Sequence, residues 1–284
     1  MTIVAVVVAE LYLTPGEDPA YAPRGRVLLA QIAVGQGRWQ AAHQQLRALA
    51  LTDPDLALIT EASLALTPDV PVGDAGLREL RARLRAAPSD RGYGEVTPVW
   101  ASAARVFLAG MLSARLGDEA DAKREAAVLA TPLPGDSGVR GDFAALLRAE
   151  IARQHGAALE GLAELDRFRY KPETVLGAFI YQIPPVARFL KARLLLEAGE
   201  DDEAVRWLAS FPDPAGTDLQ FLAAAAVREG AVFERRGRRR EALASYALAE
   251  RTWAPCEPAF EPVRARVVRA LDRLRALPDS ASRR

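Results

Sequence analysis

A glycine that returns about every forty residues constrains this chain more than any other feature. It stands at Gly37, Gly117, Gly156, Gly199 and Gly237, at separations of 80, 39, 43 and 38 residues. The first step is two periods, which places a weaker unit between Gly37 and Gly117. The columns around it agree. Seven residues earlier stand Ala30, Gly110, Ala149, Ala192 and Gly230, and five later stand Ala42, Ala122, Gly161, Ala204 and Ala242. All ten are small. Nine later come Leu46, Ala126, Leu165, Leu208 and Tyr246, and twelve later come Leu49, Leu129, Phe168, Phe211 and Ala249, all apolar.

These columns predict a repeated helix hairpin. The glycine ends the first helix because it enters the left-handed conformation without a Cβ penalty. The two small columns then lie on facing helices, where lack of bulk lets backbones approach. The positions nine and twelve later share one face of the second helix and bury against the next unit. Pro54, Pro132, Pro172 and Pro212 follow the second helices and stop them.

The pattern resembles the tetratricopeptide repeat over about residues 24–253. "GRWQAAHQQLRALALTDP" (37–54) matches that family most closely, with Trp39 at its aromatic position, and "GRRREALASYALAE" (237–250) is next. The spacing departs from the family's 34 residues, so helices or connections are longer here. The resemblance implies an all-α fold, a right-handed α-solenoid of about six hairpins. The segments "IPPVARFLKARLLLEAGEDDEAVRWLASF" and "ERRGRRREALASYALAERTWAPCEPAFEPVRARVVRAL" also resemble the C-terminal arrays of some large bacterial regulators. Those arrays often follow a protein-kinase or winged-helix domain, and neither head is seen in this sequence.

The expected layout is a helix at 3–13 and a loop at 14–23. Hairpins follow at about 24–53, 54–87, 99–131, 140–171, 184–212 and 218–252. The weak second hairpin turns near Gly73. An amphipathic helix over 258–277 caps the open end, and 278–284 is a frayed tail. The insertion "RFRYKPETVLGAFIYQIPP" (167–185) explains the 43-residue step and carries Tyr170, Phe179 and Tyr181 outside the columns.

Chemistry is harder to find. The 37 basic and 37 acidic residues cancel, so no overall field draws in nucleic acid or an anionic membrane. Only three of the basic residues are lysine and the chain has no asparagine, which fits a GC-rich genome and weakens any special reading of "ERRGRRRE" (234–241). Its arginines read as a solvated turn. Cys256 is the single cysteine, which excludes an intrachain disulfide and a four-cysteine zinc site and fits a reducing, cytoplasmic setting. The apolar start is a poor signal peptide, and no run reaches the roughly 18 apolar residues of a membrane span. "GDSG" (135–138) resembles a serine-protease nucleophile motif, but its flanks are helical. His43 and His155 sit in different hairpins. Asp201–Asp202 and Glu119–Asp121 fall where helix dipoles favour acids. No catalytic residue, metal or cofactor is assigned.

The resemblance implies that the first helices line an inner groove. Residues six before each turn glycine would face it: Gln31, Met111, Glu150, Arg193 and Ala231. Ten before stand Val27, Phe107, Leu146, Phe189 and Val227. With Arg115 and Arg153 nearby, Phe107, Met111 and Phe189 would make a surface of apolar anchors beside cations. That surface suits an extended peptide or helix with acidic groups. The expected function is a non-catalytic scaffold binding another protein or peptide. The alternatives are a regulatory array working with a kinase or transcription regulator, and an enzyme with its site in the groove.

Overall fold

The computed structural model describes residues 10, 13, 21–88, 98–134, 138–167, 183–211 and 218–277. The expected N-terminal helix, nearly all of the 167–185 insertion with its three aromatics, most of "GDSG" and the tail lie outside them. Within the described residues the chain is helical and has no strand. Twelve helices follow as six consecutive pairs. They are α1 (Ala22–Gly35) with α2 (Trp39–Ala50), α3 (Pro54–Ala65) with α4 (Asp74–Ala86), and α5 (Pro98–Arg115) with α6 (Glu119–Ala130). Then come α7 (Val139–Gln154) with α8 (Ala158–Leu165), α9 (Ile183–Glu197) with α10 (Asp201–Leu208), and α11 (Leu219–Arg235) with α12 (Arg239–Trp253). A short 3₁₀ turn over Pro258–Phe260 leads into α13 (Glu261–Ala276). No described helix is long and apolar enough to cross a membrane.

The turns form as the glycines require. Gly37, Gly117, Gly156, Gly199 and Gly237 all have φ between 69° and 82°. The residue after each returns its N–H to the carbonyl five positions back, as from Arg38 to Ala33 at 2.8 Å and from Glu200 to Leu195 at 2.8 Å. These bonds satisfy carbonyls that the helix end would otherwise leave open. The second pair differs from expectation. Gly73 has φ −73° and is the N-cap of α4, and the left-handed residue there is Asp69, at φ 66°.

The small columns are interior. Ala30, Ala149, Ala192, Ala42, Ala122, Ala204 and Ala242 are fully buried, and Gly110, Gly161 and Gly230 are buried with them. A Cβ on Gly110 would meet Leu147 Cδ2 at 2.3 Å, and one on Gly161 would meet Leu194 Cδ2 at 2.6 Å. Side chains of the next pair fill the space that the glycines leave. Leu46, Ala126, Leu165, Leu208 and Tyr246 are buried as well.

The expected open array with a cap is corrected. Helix α1 packs against α11, so the first and last pairs meet. First helices touch in succession, from α1 through α3, α5, α7, α9 and α11 and back to α1. One apolar cluster holds Ala30 and Val34 of α1, Ala226 and Phe233 of α11, and Val267 and Leu271 of α13. The C-terminal segment closes the joint. Phe260 and Cys256 lie within about 3 Å of where a Gly37 Cβ would sit. The Glu257 carboxylate accepts from the N–H groups of Gln40 (2.7 Å) and Ala41 (3.0 Å), and its own N–H donates to Gly37 O at 3.1 Å. The N-cap of α2, Arg38, supplies no side-chain cap, so an acid from the far end of the chain serves that helix N-terminus.

Candidate functional site

The inner faces of the first helices enclose a cavity of about 460 Å³. Its walls come from α5, α7, α9 and α11, with Ser63 of α3 and the segment after it. Of the eight residues expected in a groove, seven line this space: Phe107, Met111, Arg115, Glu150, Arg153, Phe189 and Arg193. Gln31 does not. It is buried at 2 % exposure in α1, with its amide nitrogen lacking a hydrogen-bond partner. Among the secondary expectations, Ala231, Val27, Leu146 and Val227 do not line the cavity either. Sequence reasoning missed Asp69, Phe221 and Arg228, which do.

The lining is graded along the helices. On α5, Phe107, Met111 and Arg115 follow at four-residue steps on one face, about 6 Å apart along the axis. On α9, Phe189 precedes Arg193 by one turn, and on α11, Phe221 precedes Arg228 by two. The charges therefore gather toward the C-terminal ends of their helices, and the rings lie nearer the middle or the start. Phe107 is packed from behind by Phe143, stacked at 4.6 Å, and Phe189 by Phe211 at 6.0 Å, while Phe221, itself a lining residue, lies beside Phe189 at 5.3 Å. Both phenylalanines are 3 % exposed, so they are core residues that also form cavity wall.

Charge in the cavity is unbalanced. Four arginines face two acids, Asp69 and Glu150. Glu150 is already fully engaged. Arg153 donates to its two oxygens at 2.9 and 2.8 Å, Gln154 donates at 3.1 Å, and Arg153 also reaches Glu197 at 3.0 Å. Burial pushes the Glu150 carboxyl upward, but Arg153 more than offsets this, and its pKa lies below the usual value. The Glu150 carboxylate in turn raises that of Arg153. The remaining three arginines are less well matched. Arg115 donates to Ala65 O at 2.7 Å, and Arg228 donates to Ala224 O at 2.9 Å, with Asp69 no nearer than 3.8 Å. The Arg193 side chain has no hydrogen-bond or ion-pair partner among the described residues. Asp69 also meets Arg266 at 3.4 Å.

The three cations respond accordingly. Burial and the neighbouring Arg193 lower the pKa of Arg115, although its side chain is exposed at the cavity edge. Burial lowers that of Arg193, with Glu150 opposing and Arg153 adding to the effect. Burial lowers Arg228 furthest, to about 10, against the pull of Asp69. The folded state holds that proton less tightly than the unfolded chain does. The difference is a cost to stability at every pH below about 10, and it is relieved only as pH rises above that value. Arg228→Met is therefore expected to raise the thermal midpoint by a few degrees at pH 7, and Arg240→Met, exposed at the start of α12, to leave it unchanged. Calorimetry checks both, and a lower midpoint for Arg228→Met would count against the imbalance.

Residues singled out for other chemistry are elsewhere. His43 is half-buried, its pKa lowered by burial, and lies edge-on to Trp39 at 4.5 Å. His155 meets Glu119 at 3.0 Å. Neither histidine nor Cys256 lines the cavity, and no metal-binding cluster occurs among the described residues. The "ERRGRRRE" arginines form the expected solvated turn, with Arg235, Arg236, Arg238 and Arg240 exposed, and most of them also have partners at the surface. Arg235 pairs with Asp201 at 2.9 Å, Arg236 with Asp202, and Arg238 with Glu241 at 2.9 Å. Arg239 donates to Leu274 O at 2.8 Å. The acids at the start of α10 thus tie it to the end of α11, and Arg85 does the same for Asp121 and Glu125 of α6. The chain matches no known protein-family model, no curated protein and no solved structure.

Proposed function

We propose that this chain is a non-catalytic, protein-binding scaffold of the tetratricopeptide kind, and that its central cavity holds the end of a partner segment. One observation carries the reading: a cavity with arginines at one end and aromatic rings at the other, built from the inner helices of paired rods. Its volume of about 460 Å³ falls within the roughly 300–1,000 Å³ range of ligand sites. The left-handed turn glycines and the buried small columns support kinship with that repeat family. Contact between the first and last pairs favours a chain end or a short projecting loop over a helix lying through an open trough. The single cysteine fits a reducing, cytoplasmic setting. The second reading, a regulatory array working with a kinase or transcription regulator, is favoured by the enclosure itself, because such a cavity also suits a small effector.

Met111 lies midway between Phe107 and Arg115 on the cavity wall, so Met111→Trp would plug the space. Affinity capture from native cytosol should recover a partner at least ten-fold less with this variant than with wild type. An exposed control, Leu133→Ser, should capture as wild type does, and circular dichroism should show all three folded. Equal recovery of every captured protein by Met111→Trp and wild type would overturn the assignment.

A further inference from the structure

The cavity's surplus charge says what kind of group would complete it. We propose that the cavity receives a phosphomonoester dianion carried on an apolar, ring-like body, with Arg115, Arg193 and Arg228 as its anion ligands. This rests on the reading of the cavity as the ligand site, and adds the chemistry of the ligand.

The four lining arginines and two lining acids leave a formal surplus of two positive charges. Arg153 and Glu150 satisfy each other through two hydrogen bonds, so the surplus falls on the other three guanidinium groups. Arg193 repels both Arg115 and Arg228, so the three cations act on one another across the same cavity. Three planar donor forks around one space match a compact oxyanion better than a single carboxylate. A phosphomonoester carries about −1.5 to −2 charges near pH 7, which balances the surplus. One or two helical turns below the guanidinium groups stand Phe107, Phe189 and Phe221, with Met111 between, so the body attached to the phosphate meets apolar wall. Arg228 itself lies 4.7 Å over the Phe189 ring, which holds its guanidinium where the charged and apolar zones join.

Asp69 is the competing anion. It occupies the left-handed region at φ 66°, which aspartate tolerates better than most residues, and it faces Arg228 at 3.8 Å. Asn tolerates that backbone too, so Asp69→Asn removes the charge without disturbing the turn.

The test is titration calorimetry on the full chain with phenyl phosphate, phenyl sulfate, inorganic phosphate and a short phosphotyrosine peptide. Phenyl phosphate or the phosphopeptide should bind at least ten-fold more tightly than phenyl sulfate or inorganic phosphate. Binding of the free ester alone would assign the site to a small molecule, and binding of the peptide alone to a phosphorylated partner; either supports the proposal. Arg193→Gln and Arg228→Met should each weaken binding ten-fold or more, and Asp69→Asn should strengthen it several-fold. Arg228→Met, expected to be the more stable protein, keeps the test informative if Arg193→Gln folds poorly. The proposal falls if neither phosphomonoester binds, or if binding is indifferent to Arg228→Met. A partner captured by wild type and lost in Met111→Trp, without any phosphomonoester binding, would sink this inference and leave the scaffold reading standing.

Discussion

Gly35→Ala is expected to pry the first and last helix pairs apart. The added Cβ would stand 2.5 Å from Leu219 O, 3.0 Å from Leu219 C and 3.3 Å from Gln220 Cα. All three are backbone atoms at the start of α11, so no rotamer change can relieve the clash. Either α11 moves or α1 does. Overpacking of this kind costs about 1–3 kcal/mol, and the better helix propensity of alanine returns up to about 1 kcal/mol. Gly35→Leu removes any prospect of accommodation and should cost more. Urea unfolding would measure the loss. Hydrogen exchange would locate it, with faster exchange at the start of α11 and across the α1–α2 turn, where Glu257 caps α2. Gly73→Ala is the control: φ is −73° and a Cβ there meets nothing within 4 Å, so only the poorer N-cap propensity of alanine acts, at up to about 1 kcal/mol, and exchange at the start of α11 should not change. If Gly35→Ala behaved like Gly73→Ala, the joint between the two ends would not exist as described.

Phe211→Ala is expected to be the most destabilising single truncation near the cavity, at about 3–5 kcal/mol. Phe211 is fully buried. Its ring lies 6.0 Å from Phe189 and 5.9 Å from Phe221, and the Arg188 guanidinium covers it at 4.7 Å. Arg188 is held there by Asp218 and Ser210. The void would open directly behind two rings that form the cavity wall, and Phe189 and Phe221 would lose the surface that fixes their positions. The variant should therefore lose ligand affinity as well as stability. Phe211→Leu, which keeps most of the volume, should cost less than about 1.5 kcal/mol and retain binding. Chemical denaturation separates the two, and a cost below about 1 kcal/mol for Phe211→Ala would mean that the three rings do not act as one unit.

Much of this architecture could be read from side-chain size alone. Ala30, Ala42 and Ala122 recur at fixed distances from a turn glycine because two helix backbones can approach only where nothing intervenes, and each is fully buried. Counting back from the same glycines also reached Met111, Glu150 and Arg193, because α5, α7 and α9 present the same face inward. The count failed at both ends of the chain for one reason. Helix α1 is packed against α11, so Gln31 is buried away from the cavity, and α11 turns Arg228 inward where the count pointed to Val227 and Ala231. Nothing periodic in a single sequence encodes contact between segments so far apart. A local hint existed in "GQG" (35–37), where a second glycine precedes the turn and leaves room for the backbone of α11. Asp69 was missed because the second pair has no turn glycine from which to count.

The capping of α2 by Glu257 joins groups 217 residues apart. At about 5–20 residues per second, a ribosome needs roughly 10–40 s between making the amides of Gln40 and Ala41 and making the acid that receives them. For most of that interval the apolar stripe of α1, including Ala30 and Val34, has no α11 to cover it. Synthesis therefore leaves the α1–α2 hairpin waiting on the α11–α12 hairpin, and nascent chains arrested before α11 should be the ones that holdase chaperones bind.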